Sequence, residues 1–122
     1  MAKKILLVDD EPQMVDMLKI RLEASGYEII TAHDGQEGLE KARKEKPDLM
    51  ILDLMLPKID GYKVCGLLKK DVRFAKIPII IFTARAQQED MTLGKEMGAD
   101  AYITKPFDAQ VLLAKIAELI RD

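Results

Sequence analysis

A doubly wound α/β fold, in which a five-stranded parallel sheet lies between two layers of helices, is what the order of residues in this chain predicts. Three observations carry that expectation. Apolar runs of strand length recur without strict alternation, the pattern of strands covered on both faces. Segments with apolar residues three and four apart separate those runs. With 122 residues, 48% of them hydrophobic and 33% charged, the chain has the size and balance of one globular domain, residues 1–122, with an apolar core under a well-charged surface.

The elements follow in order. Ile5 to Val8 forms the first strand. Met14, Leu18 and Leu22 then repeat at four, in a helix that closes at Ser25-Gly26, where glycine supplies a left-handed cap. Glu28 to Ala32 is a more polar second strand, suited to an edge, and a helix from about Gln36 to Lys46 ends before Pro47. Leu49 to Leu52 is the third strand, and Val64, Leu67 and Leu68 mark the third helix. Ile79 to Phe82 is the fourth strand, followed by a helix through Met91, Gly94, Met97 and Gly98. Ala101 to Ile103 is the fifth strand, and Leu112, Leu113, Ile116 and Ile120 mark the last helix. The apolar stripes are read as core packing. Five strand–helix alternations imply parallel strands joined by right-handed crossovers, with no linker, repeat or low-complexity tract.

Composition excludes several classes of function. With 19 basic and 21 acidic residues the net charge is -2, which gives no general electrostatic reason to bind nucleic acid or an anionic membrane. No run approaches the roughly 18 to 20 apolar residues of a membrane helix. The opening Met-Ala-Lys-Lys precedes an apolar run that stops at two aspartates, without a small-residue cleavage site, so a cytoplasmic location is expected. The single cysteine, Cys65, is expected to be a buried thiol in a reducing compartment. His33, inside the turn-rich HDGQEG, is expected at the surface and not as a metal ligand.

In a doubly wound sheet the carboxyl ends of the strands share one edge, and ligands bind where the strand order reverses. The residues at those ends are Asp9 and Asp10, Asp53, Thr83 and Lys105. Two carboxylates about 4 Å apart repel by roughly 4 kcal/mol at an effective dielectric near 20, so three converging acids call for a cation. A hard divalent ion with oxygen ligands suits them. Mg²⁺ is favoured, because it binds through one or two carboxylates, keeps several waters and bridges to phosphate. Lys105 adds a mobile positive charge and Thr83 a hydroxyl donor. Together these groups describe a site for an incoming phosphoryl group with a carboxylate nucleophile.

ILLVDDEP, MILDLMLPKIDG, IIIFTAR and AYITKPF resemble the response-regulator receiver domain of two-component signalling, over residues 3 to 121. The resemblance implies a flavodoxin-like (βα)5 fold with strand order 2-1-3-4-5. It implies that Asp53 is the phosphoacceptor, served by the phosphohistidine of a sensor histidine kinase or by a phosphotransfer protein. Asp10, Asp53 and the backbone carbonyl of Met55 would hold Mg²⁺, with Asp9 acting largely through metal-bound water. Lys105 would contact the phosphoryl group and Thr83 would hydrogen-bond to it. Tyr102 matches the switch aromatic, and Pro106 a proline that usually follows a cis bond. The chain would then be no enzyme toward an external substrate. It would be a phosphoprotein whose face of fourth helix, fifth strand and fifth helix controls a separate effector, with the first helix from Met14 to Leu22 as kinase docking surface. Ala101 and Lys115 depart from the acid and arginine common in receivers that dimerise through that face, so monomer and phosphorylation-linked homodimer both stay open. Met55 and Arg85, two beyond the acceptor and the threonine, imply a slowed hydrolysis of the phosphate.

Each residue taken singly has a plainer reading. Asp10 or Glu11 could cap the helix that starts at Pro12, Asp53 a turn and Thr83 the next helix, while Lys105 could be a solvated charge. Their coincidence at strand ends favours a site. Pro57 and Gly61 shape the loop after Asp53. An FMN binder of the same strand order would need amides and hydroxyls where this chain has Asp-Asp-Glu. A nucleotide hydrolase would need a glycine-rich loop ending in Lys-Ser or Lys-Thr, which is missing. A DxD phosphatase would need an acid at Met55. The runner-up is an adaptor that binds partners without phosphate control.

Overall fold

The computed structural model describes residues 2–83, 98–104 and 108–120. Within them lie β1 (Lys4–Val8), α1 (Pro12–Ala24), β2 (Glu28–Ala32), α2 (Gly35–Glu45), β3 (Leu49–Asp53), α3 (Gly61–Lys69), β4 (Ile79–Thr83), β5 (Ala101–Thr104) and a last helix, α4 (Ala109–Leu119). The helix expected through Met91, Gly94 and Met97 lies outside the described residues. All strand pairs are parallel, in the order β2-β1-β3-β4-β5. The chain therefore first moves outward from β1 to β2, then returns across β1 to β3, and the strand order reverses between β1 and β3.

The two faces of the sheet are both apolar, which is why the strands show no alternation in sequence. Leu6, Val8, Met50, Leu52, Ile79 and Ile81 pack with Leu39 and Ala42 of α2 and with Val64, Cys65 and Leu68 of α3. Ile5, Leu7, Leu49, Ile51, Ile80 and Phe82 pack with Val15, Leu18 and Leu22 of α1 and with Leu112 and Ile116 of α4. Every residue of the central β3 is buried, whereas β2 lies at the edge and leaves Glu28 exposed.

Two expected core positions move. In α1 the deeply buried residue of the first turn is Val15, and Met14 is half-buried. In α3, Leu67 is 41% exposed, contrary to the expectation that it packs in the core. Val64, Cys65 and Leu68 take the inward face, and Leu67 stands roughly 100° around the helix from its centre.

Helix boundaries obey local chemistry. Asp34, Asp60 and Asp108 cap α2, α3 and α4, each with a side-chain oxygen accepting from the backbone N–H of Glu37, Lys63 and Gln110 respectively. Gly26, at φ +97°, closes α1, and Lys46, at φ 47°, closes α2 before Pro47. At the amino-terminal edge of the sheet Lys69 fastens three segments. Its ammonium donates to the carbonyls of Ala75 and Ile77 and to Asp100, at 3.1, 2.6 and 2.9 Å. Asp100 Oδ2 also accepts from the N–H of Ile79, the first residue of β4, at 2.8 Å.

Candidate metal centre

Asp9 and Asp10 leave β1 and Asp53 ends β3, so the reversal of strand order brings all three to one crevice. A carboxylate oxygen from each lies within 4.8 Å of the others. Asp9 is fully buried, Asp53 is 4% exposed and Asp10 faces solvent. The parallel register sets this spacing, since Val8 pairs with Leu52 and the next residues of both strands are the acids.

The acids do not serve as caps for α1. Glu11 occupies the capping position, and no side chain makes a capping hydrogen bond there; Pro12 opens the helix instead. Asp9 is held in place by its backbone N–H donating to Ala32 of β2 at 3.1 Å, and its Oδ1 accepts from the N–H of Glu11 at 2.9 Å. Asp53 Oδ1 accepts from the N–H of Met55 at 3.2 Å, so the loop beyond β3 is built around the carboxylate it follows.

That loop is tightly constrained. The N–H of Gly61 donates to Leu54 at 3.0 Å, and a Cβ at position 61 would come within 2.4 Å of the Asp53 carbonyl oxygen. Glycine is the residue that lets α3 start this close to the site. Lys58 takes the left-handed conformation at φ 70°, and Met55 is 58% exposed.

The donor set fits a hard divalent cation: oxygen ligands only, three negative charges, two of them buried, and one side open to solvent. Asp9, Asp10 and Asp53 are therefore brought together as their positions in the sequence suggest. Thr83 ends β4 in register with Thr104 of β5, and its side chain lies outside what is described. Lys105, Pro106 and Arg85 also lie outside the described residues. Tyr102 is half-buried on β5, opposite Ile81, against the cluster formed with α2 and α3. Sequence reasoning passed over Asp34, Gly35 and Lys58, which fix the far side of the loop. Asp34 and Glu37 at spacing i, i+3 were the available signal, a capping pair that places the start of α2.

A family model for the response regulator receiver domain matches residues 5–117. The chain is 50% identical to the alkaline phosphatase synthesis transcriptional regulatory protein PhoP of Bacillus subtilis, over 99% of this chain and 50% of that protein. It is 46% identical to the DNA-binding dual master transcriptional regulator RpaA of Synechocystis, over 97% of this chain and 49% of that protein. The chain thus spans about half the length of the curated relatives it matches. Among solved structures, a CheY-like response regulator receiver domain protein from Methanospirillum hungatei superposes with a TM-score of 0.92 at 36% identity, covering 98% of this chain and 94% of that one.

Proposed function

Because the chain belongs to the response regulator receiver domain family, we propose that it is a phosphorylation-dependent signalling switch whose phosphoacceptor is Asp53. The donor is the phosphohistidine of a sensor histidine kinase or of a phosphotransfer protein. A carboxylate oxygen of Asp53 forms the new O–P bond as the N–P bond of the donor breaks. The observation that carries this reading is the convergence of Asp9, Asp10 and Asp53 within 4.8 Å at the reversal of strand order. Surface acids seldom crowd in this way with two of them buried, since each added charge raises the repulsion.

Asp10, Asp53 and the backbone carbonyl of Met55 would hold Mg²⁺ directly, and Asp9, the deepest of the three, would act through bound water. The ion supplies neutralisation of the crowded carboxylates and of the incoming phosphoryl oxygens. The chain's own residues position the acceptor: the Met55 N–H orients the carboxylate, and Lys105 and Thr83 would contact the added oxygens. Phosphorylation adds about 1.5 to 2 negative charges at this point. Drawing Thr83 toward them opens space for Tyr102 and shifts the packing around β5, which changes the surface offered to a downstream effector. No external substrate is turned over in this reading, and the chemistry is confined to gain and loss of the chain's own phosphate.

Incubation with acetyl phosphate and Mg²⁺ tests the acceptor. The wild-type chain is expected to gain one phosphoryl group by mass spectrometry and Asp53→Asn none; an undiminished adduct on Asp53→Asn would overturn the assignment. Beryllofluoride separates the switch from a passive adaptor, because the switch requires amide shifts at Thr83, Tyr102 and α4 on its addition.

A further inference from the structure

The loop that follows Asp53 is braced from outside by the amino terminus of α2. The N–H of Gly35 donates to the carbonyl of Pro57 at 3.3 Å. The carbonyl oxygen of Ile59 occupies the space of a missing side chain: a Cβ on residue 35 would lie 1.9 Å from it. Asp34 divides its two carboxylate oxygens. Oδ1 accepts from the N–H of Glu37 at 2.8 Å and caps α2, while Oδ2 faces the ammonium of Lys58 at 3.6 Å. Lys58 sits at φ 70°, a conformation that costs a non-glycine residue free energy, so the contacts on either side of it hold the loop in its present course.

The same loop carries the N–H of Met55 to Asp53 Oδ1. Three consecutive loop residues, Pro57, Lys58 and Ile59, are thus fixed by two consecutive residues, the α2 cap Asp34 and the first α2 residue Gly35, and the hydrogen bond to Asp53 lies two residues before them. From this arrangement we infer that Asp34, Gly35 and Lys58 are positioning residues for the Asp53 centre. They set the course of the Leu54–Asp60 loop, and with it the aim of the Met55 backbone at the carboxylate. The inference rests on the reading of Asp53 as the centre of a divalent-cation and phosphoryl site.

The contacts differ in strength, which makes the inference quantitative. Gly35→Ala drives a methyl group into the Ile59 carbonyl and must displace the loop. Removal of outer contacts around metal ligands typically lowers affinity by roughly 10- to 100-fold, and Gly35→Ala is expected at about 10-fold or more for Mg²⁺. The Asp34–Lys58 pair is mostly exposed on the lysine side, with 67% of that side chain accessible. Lys58→Met is therefore expected to weaken Mg²⁺ binding by no more than about twofold to fivefold, the scale of an exposed ion pair. Lys58→Arg restores the charge at the same backbone position and is expected to restore the affinity.

The experiment is a Mg²⁺ titration of the full chain and these variants at low salt, followed by the amide shifts of Asp53 and Met55, with thermal unfolding run in parallel. The inference predicts a shifted Met55 amide in metal-free Gly35→Ala and Lys58→Met, weaker Mg²⁺ binding in both, and recovery in Lys58→Arg. Unchanged Mg²⁺ affinity in folded Gly35→Ala would overturn it, as would identical affinities for Lys58→Met and Lys58→Arg. If Gly35→Ala fails to fold, the Met and Arg pair at position 58 decides alone. Phosphate uptake from acetyl phosphate is measured separately: its absence in the wild-type chain would sink the phosphoacceptor reading, whereas the affinity comparison would still judge the positioning residues.

Discussion

The two edges of the sheet use charge in opposite ways. At the amino-terminal edge, opposite charges meet: Lys4 Nζ lies 3.5 Å from Glu45 and 3.9 Å from Glu28, and Lys69 satisfies its three protons on two carbonyls and Asp100. At the carboxyl-terminal edge, like charges meet, with three carboxylates drawn within 4.8 Å. The first arrangement ties distant segments together: Lys69 and Asp100 are 31 residues apart in sequence. The second crowds like charges at a cost that a bound cation would relieve. Charge thus ties the fold together at one end of the five strands and is crowded at the other.

The difference can be broken most severely at Lys69. Its side chain is only 15% exposed, and its stem lies against Gly98, where a Cβ would meet Lys69 Cγ at 3.0 Å. Lys69→Met keeps the stem and removes the ammonium. It leaves the Ala75 and Ile77 carbonyls and Asp100 without this donor, and a loss of about 3 kcal/mol is expected in urea unfolding. The acidic edge should respond with the opposite sign. Without metal, Asp53→Asn relieves repulsion and is expected to stabilise the chain by at least about 1 kcal/mol, the energy of two unit charges about 4 Å apart even in water. With Mg²⁺ at 100 times its dissociation constant the wild-type chain gains about 2.7 kcal/mol, and Asp53→Asn forfeits most of that gain. Thermal unfolding with and without Mg²⁺ should therefore reverse the order of the two proteins; the same order in both conditions would remove the argument for a strained acidic edge.

The smallest effects concern pH. Burial pushes the Cys65 thiol up to about 11 from 9.0, with the Lys69 charge opposing and the Asp100 charge adding to the rise. The raised folded value means that the folded state holds the proton more tightly. The associated stability is complete below about pH 9 and is lost as pH rises toward about 11. Cys65→Ala should flatten that alkaline decline. On the acid side, hydrogen bonds from the Arg73 side chain and backbone hold Asp71 at about 2, below its usual 3.8. Its contribution is present above pH 3.8 and fades as pH falls toward 2, a weak and salt-sensitive effect because the partner Arg73 is 69% exposed. Urea midpoints across pH for Asp71→Asn measure it.

Much of this molecule was legible in the chain. Strand-length apolar runs without alternation gave five parallel strands, and the polar Glu28 segment gave the edge, because burial on one face or two leaves a periodic trace in composition. Asp9, Asp10 and Asp53 were legible because acids directly after apolar strands stand out against burial. Leu67 departs from the pattern, since an i, i+3, i+4 stripe is wider than the surface a helix presses on its sheet, and packing decides which flank stays wet.

Local pattern thus determined the elements, their order and the acids at the strand ends, because hydrophobic period, helix caps and breakers act over a few residues. Tertiary structure alone decided the bracing. The Lys69–Asp100 link, the Ile59 carbonyl seated on Gly35 and the Asp34–Lys58 pair join residues distant in sequence. A lysine or glycine of that kind carries no mark of its partner, and the contact exists only once β-strand register and helix packing have brought the two loops to the same edge.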